Sequence, residues 1–77
     1  MKAEELRAWI DSLTDDIEFY YKGKHGAICP FNRANISVCY GEDEQTFRSV
    51  DDTMNTPFID GKPIRDICGE FTFPYGG

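Results

Sequence analysis

The feature that most constrains the fold is a change of hydrophobic period close to residue 17. Before it, the apolar residues of 3–13 recur at the i, i+3, i+4 and i+7 positions of a helix with one apolar stripe. These residues are Leu6, Trp9, Ile10 and Leu13. After it, Ile17, Phe19 and Tyr21 alternate with residues that point the other way, which is typical of a half-buried strand. The sequence therefore predicts an N-terminal helix, broken by the polar run at 14–16, that leads into a β-sheet.

A tight Lys-Gly turn at 22–23 predicts that the first strand continues into a hairpin. Glycine adopts positive φ at little cost, which suits a two-residue turn. Pairing Tyr21 with Lys24 then sets Ile28 opposite Ile17 on the inner face of the sheet. The chain should return as a second strand in this register.

Residues 35–41 predict a third strand. Its inner-face residues are Ile36, Val38 and Tyr40. Pro30 cannot donate a ladder hydrogen bond, so the second strand should end or bulge there. Matching the inner faces of the two strands puts Cys29 and Cys39 together on the outer face, although a slip of one residue in register would separate them.

The C-terminal half contains short helices and two further candidate strands. Ser49, with an acid three residues later, predicts an N-cap and a short helix that Pro57 ends. Pro63 is expected as the first residue of another helix. The candidate strands are residues 45–49 and 70–73, the second of them as an edge strand.

The order of these elements predicts a small α+β domain. We expect a three-strand antiparallel meander with an added edge strand, packed on one face by the N-terminal helix and the short C-terminal helices. A chain of 77 residues has room for one domain, which we assign to 1–77 with 74–77 as a frayed tail.

Composition and charge narrow the function classes. Fourteen acidic residues against eight basic ones give a formal net charge of −6, which repels nucleic-acid phosphates and favours a basic protein partner. No apolar run approaches the roughly 18 residues of a membrane span, and the amphipathic, acidic start is unlike a signal peptide. We therefore expect a cytoplasmic protein whose three cysteines stay as thiols.

A thiol or metal site built on His25, Cys29 and Cys39 is one alternative. A structural zinc site normally shows close pairs such as C-x2-C, and no pair of these residues has that spacing. A Cys29–Cys39 disulfide and a Cys–His catalytic pair are further alternatives, but each requires a geometry that the sequence does not specify. We therefore predict no metal, no cofactor and no catalytic residue.

Acidic and aromatic residues form the favoured site. The acidic residues lie in predicted turns and helix starts, where they cap backbone amides. Catalysis by paired carboxylates would require a cleft, and none is expected at these positions. A surface of one charge sign can nevertheless steer a basic protein, and aromatic side chains in excess of the core suit an interface. The candidate partner-binding residues are Tyr20, Glu42, Asp43, Glu44, Asp51 and Asp52. Edge strands and spare aromatics also suit a homodimer.

Four motifs resemble those of small uncharacterised proteins of Gram-positive bacteria and their prophages. They are DIEFYYKGK, ISVCYGE, TFRSVDD and IDGKPIRDI, and the resemblance covers roughly residues 5–70. It implies the same strand, turn and helix elements but no assigned active residue. A prophage setting implies a small inhibitor of host defence that acts by acidic, protein-binding mimicry.

The sequence therefore predicts a non-enzymatic protein-interaction module, such as a small regulator or phage-type inhibitor, that binds a basic protein surface. The alternatives are the thiol or metal site and a domain with a purely structural or oligomerisation role. Direct binding of nucleic acid or membrane is not expected.

Overall fold

The computed structural model describes residues 1–13 and 16–74. Four strands form one antiparallel sheet in the order β1-β2-β3-β4, with helices before and after it. The elements are α1 (Ala3–Ser12), β1 (Ile17–Tyr21), β2 (Lys24–Asn32), β3 (Asn35–Tyr40), β4 (Asp43–Phe47), α2 (Val50–Asn55), α3 (Ile64–Ile67) and a final 3-10 turn (Cys68–Glu70). The predicted α+β class and antiparallel meander are confirmed.

The first hairpin has the predicted register. Ile17 lies opposite Ile28, and the turn residues Lys22 and Gly23 have φ values of 51° and 79°. Positive φ at both central residues is the geometry of a type I′ turn, whose twist matches that of the flanking strands. The turn therefore fixes which side chains of β1 and β2 face the core.

The second hairpin also follows the predicted inner-face pairing. Ile28 lies opposite Val38, and the register shifts between Pro30 and Asn32. The second strand therefore bulges at the proline and continues for two more residues, because a bulge accommodates a residue that cannot donate to the ladder.

The core lies between the inner face of the sheet and the helices. Phe19, at its centre, stacks on Phe71 with ring centroids 4.1 Å apart. Gly26 lies directly across from Phe19, and a Cβ there would come within 2.3 Å of the Phe19 ring. The fully buried residues include Leu6, Ile10, Ile17, Phe19, Ile28, Ile36, Val38 and Ile59.

Helix α1 presents the predicted stripe to this core. Leu6 and Ile10 are buried, and Trp9 and Leu13 are half-buried. The helix ends at Ser12, one residue before the predicted boundary, because Leu13 adopts the left-handed conformation at φ 57°. The predicted break at 14–16 lies mostly outside the described residues. In residues 1–13 and 16–74, no helix is long and apolar enough to cross a membrane.

Helix α2 begins as predicted and α3 does not. The Ser49 side chain accepts a hydrogen bond from the Asp52 N–H at 2.9 Å, and the helix ends before Pro57. Pro63, predicted as the first helical residue, is instead the extended residue that precedes α3, with ψ 149°. Its position leaves the first helical turn to Ile64, which is buried.

The fourth strand comes from the segment after the second hairpin. The candidate at 45–49 is confirmed in part: residues 45–47 belong to β4, which begins earlier, at Asp43, and ends at Phe47. The candidate edge strand at 70–73 is wrong, because that segment makes only an isolated bridge, in which Thr72 pairs with Tyr20. The predicted frayed tail at 74–77 lies outside the described residues except for Pro74.

Candidate interaction surface

The face of the sheet that points away from the helices forms the candidate surface, and we call it the outer face. None of its side chains is buried, in contrast to the inner face of the same strands. Its residues are Glu18, Tyr20, His25, Ala27, Cys29, Ser37, Cys39, Glu44 and Thr46. The alternation of strand residues predicted this face, because neighbouring side chains point to opposite sides of a sheet.

Tyr20 and His25 occupy one side of the outer face. They are cross-strand partners, and their rings make an edge contact with centroids 5.4 Å apart. The His25 Nε2 atom lies 3.2 Å from Oε1 of Glu18. Tyr20 is 44% exposed, so its ring remains available to a partner. The histidine is thereby engaged by a carboxylate and a ring rather than by a thiol.

The two outer-face cysteines are diagonal neighbours. Cys29 pairs with Ser37, and Cys39 pairs with Ala27. The prediction that both thiols share the outer face is confirmed, but they are not directly opposite. Diagonal residues lie about 7–8 Å apart, beyond the roughly 4.4–6.8 Å between the Cα atoms of a disulfide. All three cysteines of the chain are free thiols.

The surroundings of Cys29 disfavour the reactive thiolate. Burial raises the pKa of the Cys29 thiol, and the negative charge of Asp16 raises it further. Burial also raises the pKa of Cys68, whose Sγ lies 3.5 Å from the carbonyl oxygen of Met1. Because the thiolate is the nucleophile and the metal ligand, both shifts oppose the thiol or metal alternative.

The described residues contain no group of three or more His, Cys, Asp and Glu side chains that could hold a metal ion. The outer face includes His25, Cys29 and Cys39, but His25 contacts Glu18 and Tyr20. The sequence proximity of the three residues is therefore a consequence of two adjacent strands, not of a ligand cluster.

The acidic residues predicted for partner binding fall into two groups. Glu42 lies in the β3–β4 turn, and Asp43 and Glu44 begin β4. The acidic run of residues 42–44 predicts a turn over 41–44, but the turn contains only residues 41–42, and β4 begins at Asp43. The hydroxyl of Ser37 donates to Oε2 of Glu44 at 3.4 Å on the outer face.

The second acidic group lies in the helical layer. Asp51 forms an ion pair with Arg7 of α1, and Asp52 donates its backbone N–H to the Ser49 cap. Both carboxylates stand in the first turn of α2, where they complement the helix dipole. The six predicted residues therefore do not form one continuous surface: Tyr20 and Glu44 are on the outer face, whereas Asp51 and Asp52 belong to the helices.

Phe31 and Gln45 are exposed residues to which the predicted site gave no role. Phe31, at the bulged end of β2, is 70% exposed, and the sequence suggested it only through the excess of aromatic residues. Gln45 lies opposite Val38, yet it is exposed whereas Val38 is fully buried. The helices therefore do not cover the first part of β4, and no period in the sequence reports where a helical layer ends.

A cluster of charges joins two turns at one end of the sheet. The Lys22 ammonium donates to Oδ2 of Asp60 at 3.0 Å. This hydrogen bond and, second to it, the positive charge of Lys22 lower the pKa of Asp60. The same hydrogen bond and the negative charge of Asp60 raise the pKa of Lys22. Nearby, the buried Tyr40 hydroxyl donates to the carbonyl of Tyr21 at 2.7 Å. These contacts hold the turns in place.

A hollow of about 710 Å³ lies on the helical side. It is lined by residues of α1, α2 and α3, and its ionisable groups are Glu4, Arg7, Asp11 and Arg65. Arg7 pairs with Asp51, and Arg65 donates to the Asn55 side chain. No serine, cysteine or histidine lines it, so it offers no pair of nucleophile and base.

Comparison of the chain with protein-family models, with curated proteins and with solved structures found no match. The candidate surface is therefore interpreted from its own chemistry. It presents the Tyr20 and His25 rings beside the Glu18 carboxylate on a sheet face that the helices do not cover.

Proposed function

We propose that this chain is a non-enzymatic protein-interaction module that binds a basic protein surface through the outer face and the adjoining start of β4. The observation that carries the proposal is an uncovered sheet face on which aromatic side chains stand beside carboxylates. Tyr20 is exposed and its ring contacts His25, which lies 3.2 Å from the Glu18 carboxylate. Glu44 stands on the same face, on the strand at the other edge, and Phe31 is exposed at the bulged end of β2. Apolar rings supply buried area, and acidic groups supply steering and specificity.

The proposal includes a role as a small regulator or phage-type inhibitor in the bacterial cytoplasm. The formal charge of −6 supports attraction to a basic partner over a distance of about one Debye length, near 10 Å at 0.1 M salt. The three free thiols support a reducing compartment. A homodimer is the alternative to a basic partner, since an open sheet edge can also pair with a second copy.

The test is affinity capture from a bacterial lysate with two matched baits. One carries Glu42→Lys, Asp43→Lys and Glu44→Lys, and the other carries charge reversals on the helical side at Glu4, Glu5 and Glu70, all of which are exposed. Both baits change the net charge equally. We expect the first to lose a salt-sensitive partner that the wild type and the second bait retain. Equal retention of that partner by both baits would overturn the proposal.

A third bait tests whether the second acidic group takes part in binding. Asp51→Lys breaks the ion pair with Arg7 and reverses a charge in the helical layer, away from the outer face. We expect it to keep the partner. If it loses the partner while the Glu42, Asp43 and Glu44 variant keeps it, the binding surface lies on the helices and the proposed site is wrong.

A further inference from the structure

The two edges of the sheet differ in whether their outward backbone groups are paired. In a two-residue hairpin, the residues that flank the turn exchange hydrogen bonds, and the next residue along each strand points its N–H and C=O the other way. On β1, this rule directs the backbone of Tyr20 outwards. The Tyr20 N–H indeed donates to the Thr72 carbonyl at 2.7 Å, and the Thr72 N–H donates to the Tyr20 carbonyl at 2.9 Å.

On β4, the same rule identifies the outward groups. Tyr40 and Asp43 flank the two-residue turn, so Asp43, Gln45 and Phe47 bond to β3. The alternate residues, Glu44 and Thr46, direct their N–H and C=O groups away from the sheet. Within residues 1–13 and 16–74, no isolated bridge or other backbone hydrogen bond reaches these groups. One edge is therefore bridged, and the other offers two donors and two acceptors.

The space around this edge is open on both faces. The side chains of residues 43–46 are all exposed, including Asp43 and Gln45 on the side where the helices pack. Only Phe47, at the end of the strand, is buried. An added strand could therefore pair with Glu44 and Thr46 without displacing a helix or loop of the described chain.

The negative charge at this edge favours a basic strand over other possible binding partners. Residues 42–47 contain three carboxylates and no basic side chain. Glu44 stands on the outer face, whereas Asp43 stands on the opposite one. Basic side chains at successive positions of an added strand would thus find a carboxylate on either face. A second copy of this chain, itself at −6, is repelled at long range, whereas a basic segment is attracted.

We propose that β4 is a docking edge for an extended, basic segment of a partner protein, which adds to the sheet as a fifth strand. The segment bonds to the backbone of Glu44 and Thr46, and its lysine or arginine side chains lie against Glu42, Asp43 and Glu44. Main-chain hydrogen bonds supply affinity in this mode of recognition, and the side chains supply specificity. The inference rests on the proposed function and specifies how the partner binds.

The probe for the test is a short synthetic peptide in which pairs of lysines alternate with pairs of valines, so that lysines stand on both faces of the added strand. A peptide with glutamates in place of the lysines is the control. Thr46→Pro removes an outward N–H, and proline is tolerated at such edge positions because no ladder bond is lost. Thr46→Val keeps that N–H. We expect Thr46→Pro to weaken peptide binding about tenfold, and Thr46→Val to leave it within about twofold. Titration followed by NMR measures both affinities.

Amide hydrogen exchange tests the same edge without a proline. Bound lysine-valine peptide should slow exchange at the Glu44 and Thr46 amides more than at the inward-facing Gln45 amide, and Glu44→Lys should weaken binding and its dependence on salt. Equal affinities of the Thr46→Pro and Thr46→Val variants, or no added protection at Glu44 and Thr46, would overturn the docking edge.

Two outcomes separate this inference from the proposed function. If the basic peptide binds through the carboxylates but protects other amides, the acidic surface stands and strand addition is wrong. If Glu44 and Thr46 are protected without peptide, in proportion to protein concentration, the occupant is a second copy and the inference is wrong. Whether the charge-reversal bait loses its partner from the lysate tests the proposed function, and not the addition of a strand.

Discussion

The two faces of the sheet differ in burial, although the same strands form both. On the inner face, Ile28 and Val38 pair across β2 and β3 and are fully buried. One residue further along each strand, Cys29 and Cys39 are only half-buried on the outer face. Successive residues of one strand therefore lie in different surroundings, the inner ones in the core and the outer ones at the surface. This separation lets the outer face change with little effect on folding.

The largest expected effect is truncation of an inner residue. Ile28→Ala removes a fully buried side chain and should lower the free energy of unfolding by about 2–5 kcal/mol, because a cavity remains beside the removed group. Cys29→Ala, its outer-face neighbour, should cost less than about 1 kcal/mol. Urea denaturation of both variants measures the difference. Equal losses would refute the separation of the two faces.

Gly26 tests how closely the inner face is packed. Gly26→Ala would place a Cβ 2.3 Å from the Phe19 ring and 2.8 Å from the Cys39 carbonyl, so the strands or the ring must shift. We expect a loss of about 1–3 kcal/mol in the free energy of unfolding. A double variant with Phe19→Leu should recover part of the loss due to the glycine change. Strict additivity of the two changes would show that the ring contact is not the cause.

Two serine-to-alanine substitutions, one at the cap of α2 and one on the outer face, compare the helical side with the outer face. Ser49→Ala removes the side-chain acceptor of the Asp52 N–H and should cost about 1 kcal/mol. Ser37→Ala, on the outer face, loses only a 3.4 Å hydrogen bond to an exposed carboxylate and should stay within about 0.5 kcal/mol. Thermal unfolding of the two variants compares them. A larger loss at Ser37 would contradict the comparison.

The smallest expected effect is the pH dependence of the turn contact between Lys22 and Asp60. The pKa of Asp60 is lowered below its ordinary 3.8 in the folded state, chiefly by the hydrogen bond from Lys22. Its contribution is therefore present above pH 3.8 and is lost as the pH falls through the folded pKa. Asp60→Asn, which tolerates the positive φ of 56°, should remove this dependence. Denaturation midpoints at acidic pH compare the variant with the wild type, and an unchanged dependence would refute the assignment.

The sequence predicted local geometry well wherever one residue type enforces it. The Lys-Gly turn fixed the register of the first hairpin, and Ser49 fixed the start of α2. It predicted less well where the partner of a segment is distant. Residues 70–73 have a strand-like composition, but the backbone of the segment pairs with β1 only at Thr72, whereas Phe71 packs into the core against Phe19.

The candidate site divides in the same way. Period-two alternation placed Tyr20, Cys29 and Cys39 on the outer face, and the structure confirms that placement for each. The sequence could not show that Cys29 and Cys39 are diagonal, because this follows from the pairing of β2 with β3. Nor could it separate Asp51 from Glu44, since chain proximity does not report on which side of the sheet a helix packs.

Periodicity and special backbone conformations act over a few residues, so the helices, the first hairpin turn and the faces of the strands could be predicted from the sequence. Which surfaces remain open depends instead on contacts between distant segments. The cover over Val38 and the exposure of its partner Gln45 depend on how far the helices extend across the sheet. The bridge of Thr72 to Tyr20 pairs one edge at that residue and joins residues that are distant in the chain, whereas no such bridge among the described residues reaches β4.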